Sequence, residues 1–180
     1  MENNIRQAAA SDAEAILAVY APYVRDTAVS FETEAPSPAE FAARIAAISA
    51  RYPFLVYETG GALAGYAYAS GHRERAAYMY DADVSIYLAP RFHGTGIACE
   101  LYERLFALLK RLGYRNAYAG CTAENARSLS FHRKFGFTEA GTFHKTGYKF
   151  GRWHDVIWLE KTLNGDENPG KILAITDIDF

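Results

Sequence analysis

The stretch from Val84 to Leu112 limits most tightly what this chain can fold into. It opens with the β-branched, apolar run Val84-Ser85-Ile86-Tyr87-Leu88. A glycine-rich turn follows, His93-Gly94-Thr95-Gly96-Ile97-Ala98. Ile97, Leu101, Leu105, Leu108 and Leu112 then recur at helical spacing. A strand, a glycine turn and a helix start, in that order, suit an anion such as a diphosphate. Glycines let backbone N–H groups approach closely, and the first helical turn leaves donors unpaired beside a positive partial charge. Two phosphate holders fit the details poorly. The dinucleotide fingerprint needs G-x-G-x-x-G at the first strand of a βαβ unit, whereas this loop is mid-chain and reads G-x-G-x-A. A nucleotide P-loop ends in Gly-Lys-Ser/Thr, and Gly96-Ile97-Ala98 lacks the lysine.

The flanking sequence predicts an α+β fold with a mixed, mostly antiparallel sheet flanked by helices and one parallel crossover at the glycine loop. Ile5 to Ala9 reads as a strand, and Ser11 with Glu14 as a capping box for a helix from Asp12 to Val24. Pro22 is expected to kink or end that helix. Thr27 to Glu34 reads as an extended loop or edge strand. Ser37-Pro38 starts a second helix ending near Ala50. Phe54–Glu58 and Leu63–Ala69 form a hairpin across Thr59-Gly60-Gly61. After the patch Ser70–Ala76, Ala77–Leu88 reads as one long strand. Gly113 closes the central helix. Ala117–Cys121 is a strand and Asn125–Phe135 a helix stopped by Gly136. Phe137–Phe143 and Asp155–Lys161 are paired strands around an aromatic, glycine-rich connection. The expected division is a domain over 1–162 and a tail over 163–180 that could pack on it, pair with another chain or be loosely ordered.

Composition removes several partners. The net charge is −2 over 180 residues with a pI near 6.2, which leaves no footprint for nucleic acid or an anionic membrane. Arg104, Lys110, Arg111 and Arg115 read as a solvated helix face. Two cysteines, Cys99 and Cys121, make neither a disulfide framework nor a metal site and are expected to be buried. With no leader-like start and no long apolar run, a cytoplasmic location is expected.

The loop resembles the Q/R-x-x-G-x-G/A acetyl-CoA signature of the GNAT acetyltransferases, with His93, Gly96 and Ala98 at its defining positions. A second segment, Asn125-Ala126-Arg127-Ser128 through Phe131-His132-Arg133-Lys134-Phe135-Gly136-Phe137, is similar to that family's N-x-x-S … Y-E-K-L-G-F, with His132 at the tyrosine position. The resemblance runs from about Ile5 to Lys161. Within the superfamily, TAVSFETE at Thr27–Glu34, RYPFLV at Arg51–Val56 and GYKFGRWHDV at Gly147–Val156 resemble the phosphinothricin acetyltransferase branch. That branch also carries a histidine at the position of His132. It typically has Glu at the position of Asp83.

The resemblance implies a GNAT-type acyl-CoA N-acyltransferase fold, acetyl-CoA as co-substrate, and a small amine acceptor such as phosphinothricin, methionine sulfoximine or methionine sulfone. It also implies a homodimer with the C-terminal hairpin near the interface. Backbone N–H groups of His93, Gly94, Thr95, Gly96, Ile97 and Ala98 would hold the diphosphate. Ile86, Tyr87 and Leu88 would bond the pantetheine arm as an added strand. Asn125 and Ser128 would line that arm, and Arg91 is a candidate for a CoA phosphate.

Acetyl transfer needs a deprotonated amine and a protonated leaving thiolate. Asp83 is the first candidate for the base, with Asp81, two residues away on the same strand face, as its alternate. His132 is the candidate acid. Arg75, with Arg73 as alternate, suits a bidentate clamp on a carboxylate or phosphinate. Phe31 would cover the acceptor's apolar stem and Tyr78 would meet the acceptor, with Lys149 and His154 completing either the pocket or the dimer contact. Two other readings compete. One is an acetyltransferase for protein N-termini or another amine, and the other is a non-catalytic acyl-CoA-binding module.

Overall fold

The computed structural model describes residues 3–165, 167 and 169–180. Its strands are β1 (Asn3–Gln7), β2 (Phe54–Thr59), β3 (Ala62–Gly71), β4 (Asp81–Leu88), β5 (Asn116–Thr122), β6 (Thr138–Lys149) and β7 (Arg152–Thr162). The helices are α1 (Ala13–Asp26), α2 (Pro38–Ser49), α3 (Ile97–Arg111) and α4 (Ala126–Lys134). The strands form one sheet in the order β1-β2-β3-β4-β5-β7-β6. Every neighbouring pair is antiparallel except β4 and β5, which are joined in parallel through α3. The α+β reading holds.

Residue alternation sends the two faces of the sheet to different helices. Ala82, Val84 and Leu88 of β4 join Leu101, Leu105, Leu108 and Leu109 of α3 and Leu129 of α4 in one core. Tyr87 packs on the other face, where Ile16, Val19 and Tyr20 of α1 and Phe41 and Ile45 of α2 cover Phe54, Val56 and Tyr66. Asp81, Asp83 and Ser85 share that second face.

Five local expectations change. The Ser11–Glu14 capping box does not form: Asp12 accepts the Ala9 N–H at 2.8 Å and pairs with Arg6, and α1 starts at Ala13. Pro22 stays inside α1, which runs on to Asp26. Packing of Val19, Tyr20 and Val24 on both sides of it outweighs one missing backbone bond. The strand expected from Ala77 begins only at Asp81, because Ala76–Tyr78 closes a 3₁₀ turn and the sheet is entered at Tyr80 O, which accepts Arg115 N–H at 2.8 Å. The connection between the last two strands is itself strand, turning at Phe150 (φ 51°) and Gly151 (φ 73°). Two successive positive φ values make the tight two-residue hairpin loop. Cys99 is half-buried rather than buried.

The tail packs on the domain. Ile172 and Ile175 join the α3-side core, and Leu173 N–H bonds Leu112 O at 3.0 Å. The second helix starts at Pro38 as expected, with a capping box between Ser37 and Glu40, and Gly113 and Gly136 both end helices at positive φ.

Candidate active site

β4 and β5 pair only from Asp81 to Asp83 against Asn116 to Tyr118. Beyond the Asp83–Tyr118 rung the strands part, and a narrow cavity of about 50 Å³ opens between them. Val29, Ser85, Ile86, Tyr87 and Gly120 line it with Cys121, Asn125, Ser128 and His132. A broader depression of about 750 Å³ lies toward the β1 edge beside Glu58, Thr59 and Gly61, and touches none of these residues.

At one end of the opening stands the glycine loop. Gly94 and Gly96 have φ of +80° and +94°, and a Cβ on either would meet only open space. The N–H groups of residues 94–98 make no bond to a described residue, and the α3 ladder starts with Cys99 N–H to Gly96 O at 2.8 Å. This is a row of free donors at a helix start, facing an open cradle, and it fits a diphosphate. The His93 side chain is engaged elsewhere. Tyr23 OH donates to Leu88 O at 2.5 Å, so it accepts from His93 Nε2 at 3.0 Å, and Arg127 donates to Nδ1. Burial, helped by the Arg127 charge, pushes the His93 pKa down. The neutral ring therefore ties the loop to α1 and α4.

The α4 side of the opening is fully bonded. Asn125 caps α4, its Oδ1 accepting Ser128 N–H at 3.2 Å. His132 is 3% exposed, and burial pushes its pKa down. Its Nδ1 donates to Ser128 O at 2.8 Å, so Nε2 accepts from Tyr102 OH at 2.8 Å. Both ring nitrogens are bonded within the wall, so the acid role expected of His132 finds no free ring nitrogen here. Cys121 Sγ lies 3.2 Å from Ser128 Oγ, and burial pushes its thiol pKa up.

The opposite side faces the loop over residues 27–36 and the segment 72–80. Asp83 Oδ1 lies 2.7 Å from His72 Nδ1. Burial raises the Asp83 pKa, opposed by that bond and by the Arg73 charge. The His72 ring stacks on Tyr118 at 4.3 Å. Asp81 shares the face of Asp83, but its Oδ1 is taken by Asn116 Nδ2 at 3.0 Å. Arg73, Arg75 and Tyr78 lie on an exposed stretch, where neither arginine has an ion-pair partner among the described residues. Phe31 lies against β6 at Gly147, where a Cβ would come within 2.2 Å of the ring. Only glycine allows that seat.

Lys149 and His154 do not offer free groups to an acceptor. Lys149 Nζ is buried and donates to Val24 O at 2.6 Å and Ser30 O at 2.7 Å. Desolvation lowers its pKa. His154 is 1% exposed, with Nε2 on Lys149 O and Nδ1 on Glu124, each at 3.1 Å. Both clamp the 27–36 loop and the hairpin rather than line a pocket.

Four side chains that matter here carry no role in the sequence reading: His72, Tyr102, Tyr23 and Arg127. His72 precedes the two candidate arginines in His72-Arg73-Glu74-Arg75 (HRER), and Arg127 stands in Asn125-Ala126-Arg127-Ser128, so their chemistry was visible but their partners were not. Tyr102 and Tyr23 sit on helices whose apolar periodicity presents them as core.

The sequence profile of the acetyltransferase (GNAT) domain matches residues 5–158. A phosphinothricin N-acetyltransferase of Alcaligenes faecalis is 38% identical over 158 residues, which is 87% of this chain and 80% of that protein. An L-methionine sulfoximine/L-methionine sulfone acetyltransferase of Salmonella typhimurium is 33% identical over 118 residues, 66% of this chain and 69% of that one. Among solved structures, a GNAT superfamily phosphinothricin acetyltransferase of Sinorhizobium meliloti in complex with acetyl-CoA superposes with a TM-score of 0.90. It is 34% identical, and 96% of each chain is covered.

Proposed function

Because the chain belongs to the GNAT acetyltransferase family and is an acetyl-CoA-dependent N-acetyltransferase, we propose that it acetylates the amino group of a small, anionic, amino-acid-like acceptor of the phosphinothricin, methionine sulfoximine or methionine sulfone type. The observation that carries this reading is the placement of Asp83 at the last β4–β5 rung, beside an exposed segment bearing Arg73 and Arg75, which have no ion-pair partner among the described residues. In this reading the free N–H groups of residues 94–98 hold the diphosphate; the His93 N–H expected to join them is taken by Pro90 O at 3.1 Å. The edge of Ile86–Leu88 that β5 leaves open takes the pantetheine arm, with Leu88 O already held by Tyr23 OH, and Asn125 and Ser128 flank it. Arg75, assisted by Arg73, clamps the acceptor's acid group, while Phe31 and Tyr78 cover its stem.

Transfer is direct, within a ternary complex. An ammonium of pKa ~8–10 must lose a proton before it attacks the thioester. Asp83 supplies the negative charge that draws that proton off. The one thiol lining the opening, Cys121, is bonded to Ser128 and held protonated, which argues against a covalent acetyl-enzyme. His132 keeps Ser128 and Cys121 in place rather than donating. We also read the chain as a cytoplasmic homodimer joined near the β6–β7 hairpin, whose tip exposes Tyr148, Phe150 and Trp153.

The test is thiol release from acetyl-CoA across a panel of amino acids, N-terminal peptides and polyamines. Release with at least one of the three named acceptors and intersecting initial-rate lines are expected. An Asp83→Asn variant should lose about 10²-fold or more in kcat. Release only with polyamines or peptides would overturn the acceptor class, and parallel lines would overturn direct transfer.

A further inference from the structure

The pair Asp83–His72 does more than neutralise a buried carboxylate. Asp83 Oδ1 and His72 Nδ1 lie 2.7 Å apart. A carboxylate can only accept, so the hydrogen sits on Nδ1 and the lone pair of the neutral ring on Nε2. No described residue hydrogen-bonds that Nε2. The ring does not swing freely: it stacks on Tyr118 at 4.3 Å and meets Trp158 edge-on at 5.9 Å and Tyr78 at 6.4 Å. A carboxylate on one nitrogen, an aromatic clamp on the ring and an open second nitrogen form a pre-oriented base.

Its position fits the chemistry. Asp83 and Tyr118 form the last paired rung of β4 and β5. One same-face residue further along each strand, Ser85 and Gly120 line the opening. Trp158, against the ring's edge, lies opposite Gly120. The imidazole therefore stands at the mouth through which an acceptor amine must meet the thioester. It extends the reach of a short aspartate by the width of a ring.

We propose that His72 Nε2 is the atom that takes the proton from the acceptor's ammonium, and that Asp83 is its positioning residue, fixing the tautomer and stabilising the imidazolium. This rests on the acetyltransfer reading above. The ammonium gives one proton to Nε2 and becomes a free amine. Its nitrogen forms the bond to the thioester carbonyl carbon, and the C–S bond breaks. The nitrogen's surplus proton ends on the departing sulfur, and the imidazolium returns its own proton to solvent.

The groups facing the ring are Asp83 and Asp81 on β4, Tyr118 on β5, Trp158 on β7, and Arg73 and Tyr78 on the flanking segment.

The experiment compares wild type, His72→Phe, His72→Ala, Asp83→Asn and the double variant His72→Phe/Asp83→Asn, following kcat/KM for the acceptor against pH. His72→Phe keeps the stack on Tyr118 and should lose roughly 10²-fold with KM for acetyl-CoA unchanged. Its acid limb should move, imidazole should restore His72→Ala in part, and the double variant should be little worse than either single one. Nitrogen NMR of the labelled wild type should show the Nδ1–H tautomer at His72, lost in Asp83→Asn. A His72→Phe enzyme with near-normal rate and an unmoved limb, or an Nε2–H tautomer in wild type, overturns the proposal while leaving acetyl transfer intact. A wild type that acetylates no member of the panel overturns both readings at once.

Discussion

Two histidines flank the β4–β5 opening in opposite situations. His132 is 3% exposed and has a partner on each ring nitrogen, Ser128 O and Tyr102 OH. His72 is tied through one nitrogen to Asp83 and stacked on Tyr118, with its other nitrogen unbonded by the described residues. A ring satisfied on both sides in apolar surroundings stays neutral and fixed, and serves the wall. A ring tied on one side at the mouth of a cleft is oriented and still able to exchange a proton. Burial and residue type alone therefore do not mark the working group; the free valence does. The same contrast runs through the two sides of the site. The inner wall is packed helix against sheet. The 27–36 side is made of chain segments held by side-chain tethers, among them Lys149 on two carbonyls, Arg44 on Glu32 and Phe31 in the gap left by Gly147.

Cutting a tether should therefore cost more than emptying a valence. Lys149→Met keeps the aliphatic stem but strips the charged donor from Val24 O and Ser30 O. Losing two buried charge-assisted bonds is expected to lower stability by about 2–4 kcal/mol, read by urea unfolding. KM for the acceptor should rise, since the Phe31 loop loses its anchor, while KM for acetyl-CoA stays near normal. Equal damage to both constants would break the division between the two sides. His132→Leu comes next. It leaves Tyr102 OH buried without its acceptor, a loss of about 1–3 kcal/mol. If His132 only supports the wall, kcat at a temperature well below the melting midpoint should fall less than about tenfold, far less than the fall expected on losing a general base. A fall as deep as that of His72→Phe would put both rings in the reaction.

How much of this the sequence shows follows from the range of the interactions involved. The β4–loop–α3 unit is local, so its glycines and its leucine period announce it, and the row of free N–H groups at residues 94–98 is where the pattern places it. The sheet order is less local: turn residues marked the β2–β3 and β6–β7 pairs and the crossover at the glycine loop, while the β1–β2, β3–β4 and β5–β7 pairings emerge only in the fold. Strand limits failed where tertiary contacts decide them. Tyr80, not Ala77, meets β5, and Gly147–Lys149 is strand because β7 lies alongside. Side-chain roles were least legible. Lys149 and His154 sit in the most distinctive motif of the chain, and their residue types suit a pocket equally well. Only the fold reveals that carbonyls 119 and more residues away consume the Lys149 amine. His72 was lost for the converse reason: nothing in HRER says which of its four residues turns toward Asp83.

The smallest effect expected is a pH dependence of stability, and its sign follows from the bonded wall. Burial lowers the folded-state pKa of both His132 and His93 below the ordinary value of 6.5. Between those lowered values and 6.5 the unfolded chain binds more protons than the folded one, so stability rises with pH across that window. It is complete above about 6.5 and is lost as pH falls toward the folded values. Asp83 has the opposite sign, because its pKa is raised above 3.8: its contribution is complete below 3.8 and is lost as pH rises through the folded value. A melting midpoint followed from pH 7 to 5 should therefore fall, by about 2–4 °C for each kcal/mol lost in a chain of this size. His132 is the more deeply enclosed of the two rings, so His132→Leu should flatten most of the slope whatever its effect on the midpoint itself. A His132→Leu slope equal to that of wild type would mean that the imidazole accepts a proton without leaving Tyr102, and the distinction between the two histidines would then rest on kinetics alone.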